Sequence, residues 1–299
     1  MADTWVIETA DLYKRYGGVE ALTGLNLQVP KGSICGFLGR NGAGKTTAIK
    51  VLLGMARKTS VAAHVLGLAA DGTESSVEIR RRSAFVSDEK ALYDFMAVRD
   101  LVRFTASFFP AWRPELESRY LKTFDLPRER RVKDLSRGMR TKLALLLALC
   151  RGAELLILDE PTSGLDPAMT EEVLRALVSH AGREGMSIFF SSHQIADVEQ
   201  IADHLVIIDR GRTVVEGPLD EVRDRYLRVQ CVFDGEAPAA AFRSPGVLRV
   251  ERRGRILSAL SNASVDSVVS EAKAMGAVSI DVVPMTLKEI FLQTVTEEN

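Results

Sequence analysis

Three short apolar runs in the first two thirds of the chain each stop at a cluster of polar residues. Ser33-Ile-Cys-Gly-Phe-Leu38 stops at Gly39-Arg-Asn-Gly-Ala-Gly-Lys-Thr-Thr47, and apolar character resumes through Ala48-Ile-Lys-Val-Leu-Leu53. That pattern predicts a strand, a glycine loop and a helix. Leu155-Leu-Ile-Leu158 ends in Asp159-Glu160, and Ile188-Phe-Phe190 ends in Ser191-Ser-His193. The carboxyl ends of strands in a parallel α/β sheet gather on one edge, where ligands bind, so the three polar ends are expected to converge. Leu205–Asp209, the pair Arg210-Gly211 and Thr213–Val215 predict a hairpin that closes this region.

Between the glycine loop and the second run, about 88–151, β-branched runs are few and helix formers many, which predicts a helical subdomain. Inside it, the aromatic segment Phe104 to Trp112 reads as a hydrophobic anchor. After about Glu221 the pattern changes. Tyr226 to Phe233 alternates, Val247–Val250 and Ile256–Leu260 flank an Arg-Arg-Gly-Arg turn, and Val265, Val268, Val269 and Ala272 fall at helical spacing. Thr286-Leu-Lys-Glu289 is a capping-box pattern opening a last helix. The expected division is therefore 1–222 and a small α+β appendage over 223–299.

Composition narrows the classes. The 299 residues are 46% apolar and 26% charged, which excludes a disordered chain, and 39 basic against 40 acidic side chains exclude the global positive field of non-specific nucleic-acid binding. The longest run without a polar residue, Leu143–Cys150, is eight residues, far short of the roughly 18 needed to cross a bilayer. Cys35, Cys150 and Cys231 lie too far apart in sequence for a CxxC pair, which fits a reducing cytoplasm. The first eight residues carry early acids and do not read as a secretory signal.

Gly39-x-x-x-x-Gly44-Lys45-Thr46 matches the P-loop pattern at every fixed position. Glycines let the backbone amides of Gly39, Arg40, Asn41, Gly42, Ala43 and Gly44 turn toward nucleotide phosphates, and the following helix aims its positive end at them. Lys45 supplies a compact charge to the β and γ phosphates; Thr46, followed by Thr47, offers Mg²⁺ a hydroxyl. Asp159 suits a second Mg²⁺ contact, and Glu160 is placed to orient or deprotonate an attacking water. His193 is a donor for charge developing on the γ-phosphate.

Taken with Leu135-Ser-Arg-Gly-Met-Arg140 and Ser163-Gly-Leu-Asp166, these motifs resemble the nucleotide-binding subunits of ATP-binding-cassette (ABC) transporters over about Val6 to Pro218. The resemblance implies a P-loop α/β fold with an antiparallel β subdomain and a helical signature subdomain. It implies that Tyr16 stacks on adenine, and that Ser136, Gly138 and Asp166 act across a head-to-tail dimer on the ATP held by the opposing copy. The family's glutamine position falls on Asp88, with Glu89 as the alternative, and there Asp88 would bind Mg²⁺ or a water. Arg137 and Met139 stand where the family usually has glycine and glutamine. Within the family the chain looks like exporters of the ABC-2 kind, including bacitracin-resistance-type ATPases. This implies an ATPase with ATP and Mg²⁺, two identical copies, an integral membrane permease on a separate chain docking near Asp88 to Arg99, no nucleic acid, and a peripheral place on the cytoplasmic face of the cell membrane. The competing reading is a non-transport ABC ATPase acting on ribosomes or nucleic acid.

Overall fold

The computed structural model describes residues 4–58, 62–70, 73–239, 242–262 and 265–295; Met1 to Asp3, part of the segment read above as lacking a signal, lie outside them. The chain divides into two compact units, Met1–Glu216 and Gly217–Asn299. The division falls inside the strand Arg212–Pro218, a few residues ahead of the expected 222.

The first unit opens with strands β1 (Trp5–Tyr16), β2 (Val19–Pro30) and β3 (Ile34–Leu38), helix α1 (Lys45–Leu52), β4 (Ala62–Val65), β5 (Leu68–Ala69), α2 (Thr73–Arg82) and β6 (Ser83–Val86). Helices α3 (Val98–Ala106), α4 (Pro114–Thr123) and α5 (Arg137–Leu149) form the expected helical segment. Next come β7 (Leu155–Asp159), α6 (Pro167–Glu184), β8 (Ser187–Ser192), α7 (Ile195–Ile201), β9 (His204–Asp209) and β10 (Arg212–Pro218). One sheet has the order β2-β1-β4-β5 with antiparallel neighbours. The other has the order β10-β9-β3-β8-β7-β6, parallel from β9 through β6.

Strands β3, β7 and β8 are buried at every position, as parallel strands covered on both faces must be. One core joins the sheets: Leu12, Leu22 and Leu25 meet Phe37, Ile157 and Phe189, with Ile49 and Leu52 of α1 in the same cluster. Chemistry can therefore emerge only where strands end. The predicted β9–β10 hairpin forms, and Arg210 and Gly211 both take positive φ (46° and 77°), the two-residue turn whose twist matches the strands.

The expectation for Phe104–Trp112 holds for part of the segment only: Phe109, with the Arg151 guanidinium 3.9 Å from its ring centre, and Trp112 are half-buried. Helix α3 buries Val98, Leu101 and Val102, whereas Phe104 lies at the margin of that face and is 38% exposed; Phe108, just beyond the helix, is 62% exposed. With Tyr93 and Phe95 they form a string of ring contacts at centroid separations of 5.0 to 6.0 Å.

The second unit holds α8 (Leu219–Arg225), β11 (Leu227–Val232), β12 (Val247–Arg253), β13 (Ile256–Ser261), α9 (Asp266–Ala274), β14 (Ser279–Pro284) and α10 (Leu287–Thr294). Its antiparallel sheet, ordered β12-β13-β11-β14, packs Val229, Cys231, Leu257 and Ala259 with Val268 and Ala272 of α9. The capping box forms as predicted: Glu289 N donates to Thr286 Oγ1 (3.3 Å), and Thr286 N donates to Glu289 Oε2 (2.9 Å). No helix among the described residues is long and apolar enough to cross a membrane.

Candidate functional site

Four neighbouring strands, β3, β8, β7 and β6, run parallel and deliver their carboxyl ends to one edge. The loop after β3 is Gly39–Gly44. Gly42 and Gly44 adopt φ of 84° and 109°, and a Cβ at Gly44 would lie 2.6 Å from the Ala21 carbonyl, so only glycine fits there. Gly44 N-caps α1, whose free amides and dipole face the loop. Lys45 is buried and donates to the carbonyls of Gly39 (2.7 Å) and Arg40 (3.2 Å).

Strand β7 brings Asp159 to this loop. Thr46 Oγ1 donates to Asp159 Oδ2 at 2.8 Å, and Ser191 Oγ, from the end of β8, donates to Asp159 Oδ1 at 2.7 Å. A threonine hydroxyl and a carboxylate brought into contact are the hard oxygen donors that Mg²⁺ favours, so these two residues fit that ion. The structure does not join Asp88 to them. Asp88 faces two cations, Lys90 Nζ at 3.5 Å and Arg137 at 4.0 Å. Of the metal residues expected from sequence, Thr46 and Asp159 thus lie together, while the Asp88 carboxylate, after β6, turns toward basic groups.

Glu160 is gripped on every polar atom. Its Oε1 lies 3.2 Å from Lys45 Nζ and its Oε2 lies 2.7 Å from His193 Nδ1. Its backbone N donates to Ser191 Oγ (3.0 Å), and its carbonyl accepts from Ser163 N (3.3 Å) and Lys90 Nζ (3.2 Å). The residue sits at φ 49°, a left-handed conformation that costs a non-glycine roughly 1 kcal/mol or more and persists only where the surroundings impose it. Burial lowers the affinity of the Lys90 ammonium for its proton, and the charge of Asp88 works against that shift.

The remaining predicted residues occupy separate places. Tyr16 ends β1 with its ring 47% exposed and the Lys14 ammonium 4.5 Å from the ring centre. Ser136 is the N-cap of α5, its Oγ accepting from Met139 N at 3.2 Å. Gly138 faces α6, where a Cβ would lie 2.1 Å from Met169 Sδ and that flexible side chain would have to swing aside. Asp166 N-caps α6 through Met169 N at 3.0 Å. Arg137 donates to Ser163 Oγ at 3.3 Å as well as facing Asp88.

Sequence reading assigned no task to Ser191, Lys90 or Asp197. Ser191 had a visible signal, the polar end of a buried run beside His193. Asp197 is buried on α7 and hydrogen-bonded by the Thr162 hydroxyl; burial raises its pKa, and the Thr162 bond partly offsets this. Nothing local marks it.

A family profile described as ABC transporter matches residues 22–163. The chain is similar to the bacitracin transport ATP-binding protein BcrA of Bacillus licheniformis, at 36% identity over 75% of this chain and 74% of that protein. The ABC transporter ATP-binding protein YtrB of Bacillus subtilis (strain 168) is 24% identical over 96% of this chain and 97% of its own length, a span that takes in the C-terminal unit. Among solved structures, cbiO1 from Clostridium perfringens, described as part of the ABC transporter complex cbiONQ, has a TM-score of 0.64 and 26% identity, covering 73% of this chain and 90% of that one.

Proposed function

The chain belongs to the ATP-binding subunits of ABC transporters, and on that premise we propose that two copies clasp two ATP molecules head to tail and drive export through a separate membrane permease. It is an ATPase. The observation that carries the proposed mechanism is Glu160 held between Lys45 and His193 at the end of β7, beside the Thr46–Asp159 pair.

The attacking water forms a bond to the γ-phosphorus, the bond from that phosphorus to the β–γ bridging oxygen breaks, and the water proton passes to a Glu160 carboxylate oxygen. Lys45 and the amides of Arg40 to Thr47 take up charge on the phosphates, and His193 donates to the γ-phosphate. Thr46 and Asp159 would hold Mg²⁺, directly or through water, and the ion when bound neutralises phosphate charge. The exposed ring of Tyr16 supplies a stacking face for adenine. Ser136 and Gly138, at the start of α5, meet the γ-phosphate held by the other copy, and Asp166 faces that dimer seam. A hydroxyl at a helix N-terminus is an anion site, so capping α5 and binding phosphate are compatible tasks. Since the phosphate loop, Asp159-Glu160, Ser136, Gly138, Asp166 and His193 are all present in one sequence, two identical copies suffice.

The permease docks on the helical segment. A cavity of about 230 Å³ lies there, lined by Lys90, Leu92, Thr105, Phe109, Leu147 and Arg151, and the exposed string Tyr93, Phe95, Phe104 and Phe108 belongs to the same segment. Aromatic residues exposed together on a rigid element are typical of a covered interface. Such docking places the chain on the cytoplasmic face of the membrane, and the bacitracin and lantibiotic names of its relatives make a peptide-antibiotic exporter the closest functional class.

The test is Glu160→Gln in the full chain with ATP and Mg²⁺. ATP binding stays, kcat falls at least about a hundredfold, and light scattering finds an ATP-dependent dimer. Wild-type turnover would defeat the role of Glu160; a strict monomer in saturating ATP would defeat the clasped pair.

A further inference from the structure

The mechanism leaves Lys90 without a task. Its side chain is 5% exposed, and lysine is almost never that buried unless its charge is used. The ammonium finds two oxygens, Asp88 Oδ1 at 3.5 Å and the Glu160 carbonyl at 3.2 Å. Lys90 also has a left-handed backbone, φ 45°, so two non-glycine residues in that conformation, 70 positions apart, are joined by one hydrogen bond. Lys90 follows β6 and Glu160 follows β7, which are adjacent parallel strands. The bond ties the two strand ends together at the point where the chain bends out of the sheet.

Of the atoms of Glu160, the carboxylate oxygens meet Lys45 and His193, and the amide meets Ser191. The carbonyl is held by Ser163 N and by Lys90, the only charged donor among these two. A carboxylate aimed at a water is only as well placed as the peptide that carries it, and a small misplacement of a reacting group is expensive in rate. We propose that Lys90 is a positioning residue for ATP hydrolysis: its ammonium, anchored by Asp88, holds the Glu160 carbonyl and so fixes the left-handed backbone that directs the Glu160 carboxylate. This rests on the reading of Glu160 as the general base.

The test compares steady-state hydrolysis by the full chain carrying Lys90→Met, Lys90→Arg or Glu160→Gln, each checked for a cooperative melt. Lys90→Met lowers kcat about tenfold or more while KM for ATP moves less than about threefold, the split expected of an interaction made in the transition state. Lys90→Arg, which keeps a charged donor, recovers kcat to within about threefold of wild type. A structural role alone would lower the melting temperature and active fraction without that split or that rescue. Should Lys90→Met not melt cooperatively, Lys90→Gln takes its place. Wild-type kcat in the Met or Gln variant, or an Arg variant no better than Met, overturns the role of Lys90 even where Glu160→Gln is inactive. Wild-type turnover in Glu160→Gln overturns both readings together.

Discussion

Polar residues occupy two different kinds of place in the two units. In the first, strands β3, β7 and β8 are buried throughout, and Asp159, Glu160, Ser191 and His193 are confined to the strand ends, where each touches at least one other. In the second, the pairing of β11, β12 and β13 sets Arg228, Gln230, Glu251 and Ser258 on the face opposite Val229, Cys231, Leu257 and Ala259. There the charges answer one another: Arg228 pairs with Glu289, and Arg249 with Glu251 at 3.2 Å. A sheet covered on both faces concentrates its chemistry on an edge; a sheet with one partly open face spreads polar groups across it. Substitutions should therefore cost function in one place and small amounts of stability in the other.

The largest effect is expected at the glycine loop. Gly44→Ala meets both the Ala21 carbonyl and a forbidden φ, so the loop must shift, and ATP affinity should weaken by more than about tenfold; titration calorimetry reads it. Unchanged affinity would show that the loop tolerates a side chain and that its amides are not preset.

A buried group far from the edge gives the next effect. His180 on α6 is 2% exposed, and its Nδ1 lies 3.0 Å from the Tyr120 hydroxyl on α4. Burial lowers its pKa from 6.5 to about 4. The unfolded chain thus takes up a proton more readily, so the contribution is complete above about pH 6.5 and is lost as pH falls toward 4. Its size is at most roughly 3 kcal/mol. His180→Gln, which still offers Tyr120 an acceptor, should flatten denaturant stability across that window, and an unaltered pH profile would remove His180 as the cause.

The second unit should respond more weakly. Thr286→Ala removes the cap of α10 and should cost about 1 kcal/mol. Arg228→Met breaks a half-exposed ion pair and should cost less than about 1 kcal/mol, with kcat for ATP unchanged. A large loss of turnover in Arg228→Met would erase the contrast between the units and assign the open sheet face a part in the cycle.

Much of the edge was legible beforehand because each piece is a contiguous motif whose chemistry is local. The Gly39–Thr46 loop, the Asp159-Glu160 end and the Ser191–His193 end could be read one at a time, and parallel topology then required them to meet. The capping box at Thr286 and the Arg210-Gly211 turn were readable for the same reason. Asp88 fits a metal contact by its type and order in the chain, whereas only the fold shows that its carboxylate faces Lys90 and Arg137. Phe104 and Phe108 lie exposed while Phe109 and Trp112 are half-buried, a split within one aromatic segment that apolar area alone does not record.

The amino-acid order alone determined the phosphate loop, the acids beside it, the family, and a second small unit, since glycine spacing, hydrophobic period and capping act over a few residues. Tertiary structure alone decided that Glu160 is held from all sides, that Lys90 reaches its carbonyl from 70 positions away, that Gly138 faces Met169 of α6, and where the units part. Those facts depend on which strands lie side by side and which helix faces are covered, and such adjacency is set by packing of the whole core, not by any short stretch of chain.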